Sequence, residues 1–259
     1  MSLETPSVLL VEFDGPVATL TMNRPSLCNA LNEELNRRLL GAFEDLRTRT
    51  GVKVVVLRGN GRHFCAGSDL NDLHNANRET AARVIGLEVD ACFALSALPQ
   101  CTVAVVHGMC FGGGAALPLY CDIRLGYPGV EFAMPEILLG WLPPWGLNRM
   151  LMNLPRPFVL EMLLSGRSCS TQEALQRGWI QHVLSPNDDG SSFVASLAAL
   201  PANVLQDSLR FVSPRHEDEI LADDQKSLAV FLDHFASDHA HASIDLFIKT
   251  RRSKSHARH

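Results

Sequence analysis

Short apolar runs alternate with amphipathic stretches along most of this chain. It opens on "SVLLVEFDGPVATLTM", two β-rich runs around Asp14-Gly15, which predicts a hairpin. From Asn32, an N-cap residue, Leu35, Leu39, Ala42, Phe43 and Leu46 recur at helical spacing until Gly51 closes the pattern. "VKVVVLRG" (Val52 to Gly59) and "CTVAVVHG" (Cys101 to Gly108) are continuous apolar runs of strand length and predict buried strands. Between them a second helix is predicted from about Glu79 to Leu98, stopped by Pro99. "CDIRLGY" and "VEFAM" read as further strands. Ser170 and Glu173 have the spacing of a capping box, with Gly178 as the stop. Beyond Pro201 no strand pattern returns, and "DDQKSLAVFLDHFASDHAHASIDLFIKTRR" reads as two helices.

The pattern divides the chain into a mixed α/β core, residues 1–198, and an all-helical region, residues 199–259. A strand running through a glycine-rich turn into a helix occurs at least twice in the first half, which suggests a repeated ββα unit.

Composition narrows the classes. The chain has 259 residues, 46% of them hydrophobic and 20% charged, as in ordinary globular proteins. A formal charge of −5 with no basic stripe before the last residues argues against a nucleic-acid partner. No apolar run reaches membrane-spanning length, and the first residues lack signal-peptide character, so the expected location is the cytoplasm. Seven cysteines without a C-x-x-C pair read as reduced core residues, and no residue cluster suggests a metal.

The chemistry collects at two strand ends, "VVVLRGNGRHFCAGSD" and "VAVVHGMCFGGGAA". Each turn leaves backbone N–H groups without helical partners, and small residues let a ligand reach them. Two such donors aimed at one oxygen make an oxyanion hole; glycines that merely permit a tight turn are the alternative. No G-x-G-x-x-G, G-K-[ST] or G-x-S-x-G motif accompanies them. In "FAMPEILLGWLPPWG", Glu136 is flanked by apolar residues. It reads either as a helix-start dipole partner or as a carboxyl whose pKa is raised into a useful acid–base range.

"NRPSLCNALN", "FCAGSDL", "HGMCFGGGAAL", "CDIRL" and "FAMPEILLGWLP" stand in the order and spacing of the crotonase superfamily, the enoyl-CoA hydratase/isomerase group, which the chain resembles over most of its length. The resemblance implies a spiral of ββα units with C-terminal helices that mediate a homotrimer or hexamer. It implies an acyl-CoA thioester substrate, with coenzyme A entering as part of that substrate and no separate cofactor. The thioester oxygen is expected between the N–H groups of Ala66 and Gly113. Ser26, Cys28 and Ala30 match the loop against which CoA lies. Gly67, Ser68, Asp69 and Leu70 match the segment beside its adenine and pantetheine. Lys249 and Arg251 match a terminal basic residue that reaches the CoA phosphates. Family hydratases hold water with two glutamates. One matches Glu136; the other position is Ala116. A single carboxylate suits the family isomerases, which shift a 3,4 double bond to the 2,3 position. A hydratase or dehydratase, a decarboxylase and a non-catalytic CoA-binding protein are the alternatives. Two departures bear on the site. Pro118 should delay or bend the helix after the glycines, and Trp141 and Trp145 either narrow the acyl pocket or belong to the core.

Overall fold

The computed structural model describes residues 7–74, 76–212 and 217–256, with the side chains of 217, 218 and 251–256 outside the description. The expected hairpin is present as β1 (Leu9–Asp14) and β2 (Val17–Met22), paired antiparallel in register across Asp14 and Val17. β3 (Val54–Gly59), β4 (Cys101–Val106), β6 (Ile123–Gly126) and β9 (His182–Val183) extend it in parallel, giving the sheet order β1-β2-β3-β4-β6-β9. β5 (Met109–Phe111), β7 (Glu131–Ala133) and β8 (Ser168–Cys169) form a second sheet. All six residues of β4 are buried, as expected for a central parallel strand covered on both faces.

The repeat is a spiral. β4 and β6 each run through a short turn into β5 and β7, so one pass of chain adds a strand to each sheet. The earlier passes do the same with single residues. Cys65, after β3, bridges Cys110 in parallel, and Leu31, after β2, bridges Ser68. The start of each second strand is thereby stacked on the next pass.

Helices connect the passes. α1 (Glu33–Arg47) begins at Asn32, whose side chain accepts from the Leu35 N–H, and buries Leu35, Leu39, Phe43 and Leu46. The short α2 (Leu70–His74) precedes α3 (Arg78–Ser96), which packs on α1. After the glycines comes α4 (Gly113–Ala116), a single turn that tightens at once into a 3-10 turn, Leu117–Tyr120. The helix therefore starts on time and narrows, because Pro118 has no N–H with which to continue the α ladder.

A second 3-10 turn (Pro135–Leu139) carries Glu136. α5 (Leu147–Asn153), α6 (Arg156–Ser165), α7 (Thr171–Arg177), α8 (Ser191–Ala198) and α9 (Ala202–Val212) follow. The Ser170 hydroxyl caps α7 at the Glu173 N–H and Gly178 ends it in the left-handed conformation, but the Glu173 carboxylate pairs with Arg167 rather than reaching back to complete the box. α10 (Glu217–Phe235) packs on α3 and α5. α11 (Asp238–His256) packs on α2 and on the 3-10 turn of Glu136. No strand follows β9 among the described residues. No helix among them is long and apolar enough to cross a membrane.

Candidate active site

The loop between β2 and α1 is stitched to the turn after β3. Leu31 N–H donates to Gly67 O at 2.8 Å, and Asp69 N–H donates to Leu31 O at 2.9 Å. Asn29, fully buried, straps the loop from inside: its Oδ1 accepts from Arg24 N–H, and its Nδ2 donates to Asn60 O and His63 O. Cys28 and Asn29 both take φ of 53°, the left-handed region that Asn tolerates.

This stitching corrects one expectation. The Ala66 N–H donates to Cys28 O at 3.0 Å and so serves the loop. Asp69 N–H is likewise used, and Gly67 N–H faces Cys65 Sγ at 3.4 Å. The N–H of this turn without a partner among the described residues is that of Ser68. In the glycine turn, Gly112 N–H donates to Ala133 O, and the N–H groups of Ala115 and Ala116 return to Gly112 O. Gly113 N–H, at the start of α4, has no partner among the described residues. The two turns nearly touch. A Cβ on Gly67, where φ is +87°, would sit 2.7 Å from Phe111 O and 3.2 Å from Gly113 N. Glycine at 67 is therefore required both by its backbone conformation and by this approach.

Ser68 and Gly113 open on one cavity of about 530 Å³. Ala66, Gly67, Leu70 and Glu136 also line it; among the described residues its wall does not include Ser26, Cys28, Ala30 or Asp69. Asp69 is buried with its carboxylate paired to Arg24 at 2.9 Å, so it acts within the protein. From α11, Phe247 and Thr250 complete the wall; the neighbouring Lys249 is exposed and does not line it. The side chain of Arg251 lies outside the described residues.

Glu136 sits against the glycine turn: a Cβ on Gly112 would be 2.7 Å from its Oε1. Its Oε2 is buried without a hydrogen-bond partner. Burial pushes its pKa up to about 7, with a backbone hydrogen bond offsetting part of the rise. Ala116 is buried against the turn at Gly146, whose added Cβ would lie 2.8 Å from the Ala116 methyl. Trp141 and Trp145 are both core and wall: each is buried and each lines the cavity. A Cβ on Gly113 would meet Trp145 Cζ2 at 2.9 Å, so the indole covers the start of α4.

Glu88 belongs to no motif in the sequence. It lies on α3, only 1% exposed, with Oε2 accepting from Ser68 Oγ at 2.9 Å and from Trp145 Nε1 at 2.8 Å. Its signal was faint: one of two acids in "IGLEVDACF", set directly between Leu87 and Val89.

Residues 12–255 match the family model for enoyl-CoA hydratase/isomerase. The 2,3-dehydroadipyl-CoA hydratase of Escherichia coli K12 is 31% identical over 250 residues, covering 95% of this chain and 97% of that protein. The 3-hydroxyisobutyryl-CoA hydrolase 1 of Arabidopsis thaliana is 30% identical over 207 residues, 78% of this chain and 54% of that one. Among solved structures, an enoyl-CoA hydratase/isomerase from Pseudoalteromonas atlantica T6c superposes with a TM-score of 0.83 at 26% identity, covering 94% of this chain and 97% of that one. One from Mycobacterium paratuberculosis gives 0.85 at 23% identity, covering 93% and 99%, and speaks to the fold. This chain belongs to the enoyl-CoA hydratase/isomerase family, the crotonase superfamily.

Proposed function

We propose that this family member binds an acyl-CoA thioester with its carbonyl oxygen between the N–H groups of Ser68 and Gly113, and that Glu136 moves a proton along the acyl chain to isomerise a 3-enoyl-CoA to the 2-enoyl-CoA. The observation that carries this reading is Glu136 itself: a buried carboxyl with an unpartnered oxygen, in the wall of the cavity that the two donor turns share.

The Glu136 carboxylate takes a proton from C2. The C2–H electron pair shifts into the C1–C2 bond, and the carbonyl electrons move onto the thioester oxygen, where two N–H groups meet the new charge. Each such donor is worth typically about 10²–10³ in rate. The enolate then collapses: the 3,4 double bond becomes a 2,3 double bond, and C4 takes the proton back from Glu136. No atom is gained or lost. The base must be ionised to start and protonated midway, which a pKa of about 7 serves in both directions.

Hydration, the activity in the name of the Escherichia coli relative, is disfavoured for this chain by the packing at Ala116. A methyl group stands at that position, closed off by Gly146, and Trp145 covers the adjoining turn. The CoA moiety is assigned to the loop of Ser26, Cys28 and Ala30 and to Lys249 on α11, in a homotrimer or hexamer. Incubation with a panel of 2- and 3-enoyl-CoAs in deuterated water, followed by NMR, tests the reading. Deuterium is expected at C2 and C4 with net 3-to-2 isomerisation. Hydration of crotonyl-CoA faster than isomerisation, or no exchange with any thioester, overturns it.

A further inference from the structure

Glu88 is a buried carboxyl that the proton transfer above does not use. It lies one helical turn beyond Ile85, which lines the cavity. Its Oε2 holds the Ser68 hydroxyl and the Trp145 indole N–H together, while its Oε1 is buried without a partner. Ser68 carries one proposed carbonyl donor. The Trp145 ring lies over Gly113, which carries the other. One carboxyl group therefore grips both sides of the carbonyl site, the first directly and the second through the indole.

Its surroundings favour the uncharged form. Both hydrogen bonds come from neutral donors. The Cys65 and Cys92 thiols feel its charge and are themselves held protonated by burial. Glu136 acts on it from the 3-10 turn. From the other elements packed on α3, the 3-10 turn of Tyr120 and α10 contribute the Tyr120–Asp224 hydrogen bond, with the Arg149 guanidinium over the Tyr120 ring. α1 contributes Glu33, paired with Arg83 at the exposed rim. A buried carboxylate held only by two neutral donors is costly, whereas a protonated carboxyl still accepts both bonds at Oε2 and carries its proton on Oε1.

We propose that Glu88 is a positioning residue of the carbonyl site, fixing Ser68 and Trp145 together, and that it works as the neutral acid. This role rests on the reading of Ser68 and Gly113 as the carbonyl site. Burial, reinforced by the charge of Glu136, pushes the Glu88 pKa up to about 8. Near neutral pH the pocket thus holds one carboxyl able to serve as base and one that stays uncharged, the divergence that separates acid and base roles in one site. Ionising Glu88 would put a negative charge behind the Ser68 turn just where the enolate gathers its own. Activity should therefore fall as pH rises through about 8.

The test is C2 deuterium exchange of a 3-enoyl-CoA against pH in wild type, Glu88→Gln and Glu88→Leu. A parallel pH titration follows tryptophan fluorescence without substrate, with Trp145→Phe as the control. An amide oxygen still accepts both hydrogen bonds, so Glu88→Gln is expected to come within about 3-fold of wild type at pH 7 and to lose the alkaline decline. Glu88→Leu strands both donors and lets the turns drift, so kcat is expected to fall about 10²-fold with KM changed much less. Wild-type fluorescence is expected to show a step near pH 8 that is missing in Glu88→Gln and in Trp145→Phe. An unchanged alkaline decline in Glu88→Gln, full kcat in Glu88→Leu, or no fluorescence step in wild type overturns the proposal. Should Glu88→Leu not fold, the Glu88→Gln profile and the fluorescence titration still decide. Absence of exchange in wild type at every pH overturns the carbonyl-site reading and this role with it; exchange in wild type with an unaltered Glu88→Gln profile overturns this role alone.

Discussion

Glu136 has lost its water without gaining a cation, and two consequences follow from that. Its pKa of about 7 lies above the ordinary 4.5, so the proposed base becomes active as pH rises through about 7, and kcat/KM is expected to climb over that interval. Stability moves the other way. Between about 4.5 and about 7 the folded chain holds this proton more tightly than the unfolded chain does, so the contribution of this carboxyl to stability falls with rising pH across that window and changes no further above it. Glu136→Gln removes both effects. It is expected to cost about 10²–10⁴ in turnover with acyl-CoA affinity nearly unchanged, and to raise the melting temperature more at pH 8 than at pH 5. Calorimetric melts and isothermal titration beside the rate assay check this. Ala116→Glu is expected to create no hydratase. Its carboxylate would be forced against Gly146 in the core, where an unpaired buried charge costs about 3–5 kcal/mol. A marked drop in melting temperature, without crotonyl-CoA hydration, is the expected result. Glu136 was legible because a motif surrounds it. Which N–H of "FCAGSD" stays free was not, because pairing with Cys28 and Leu31, distant in sequence, decides it. Glu88 was hidden for the same reason: its partners, Ser68 and Trp145, are distant in sequence and come together only in the fold.

At the scale of elements, local chemistry set what it could. Asn32 and Ser170 cap α1 and α7, and Gly178 ends α7, because side chain and backbone supply the whole interaction. The two- and three-residue strands β5, β8 and β9 had no readable period, since their extended form comes from the partner strand. The loop before α1 depends on a single buried amide. Asn29→Ala would strand Arg24 N–H and the carbonyls of Asn60 and His63, at about 1–3 kcal/mol for a buried group left unsatisfied. Because the Cys28 carbonyl and Leu31 on this loop also brace the Ser68 turn, the variant is expected to weaken acyl-CoA binding and slow turnover together. Dissociation constants and kcat measured on the same preparation check that pairing.

The whole molecule closes its pocket with its last described helix. α11 is tied to α2 by the His74–Asp245 pair at 2.5 Å and brings Phe247 and Thr250 into the cavity wall. A chain cut after Ser237 is expected to keep the strands of both sheets but to bind acyl-CoA at least about tenfold more weakly, since covering one large apolar side chain is worth about 1.5–3 kcal/mol. Circular dichroism and a binding isotherm separate those two outcomes. Phe211 and Val212 on α9, Leu164 on α6 and Leu138 in the pocket wall leave apolar side chains in water. Sedimentation equilibrium is expected to give the mass of a trimer or hexamer. The spiral has one more consequence. Ser68, Gly113 and Glu136 come from three successive passes of the chain. The proposed carbonyl donors are main-chain groups, which the genetic code cannot exchange, whereas the base is a side chain, which it can. A lineage built on this architecture can therefore trade one acid for another, a codon at a time, and still inherit the means of making an enolate.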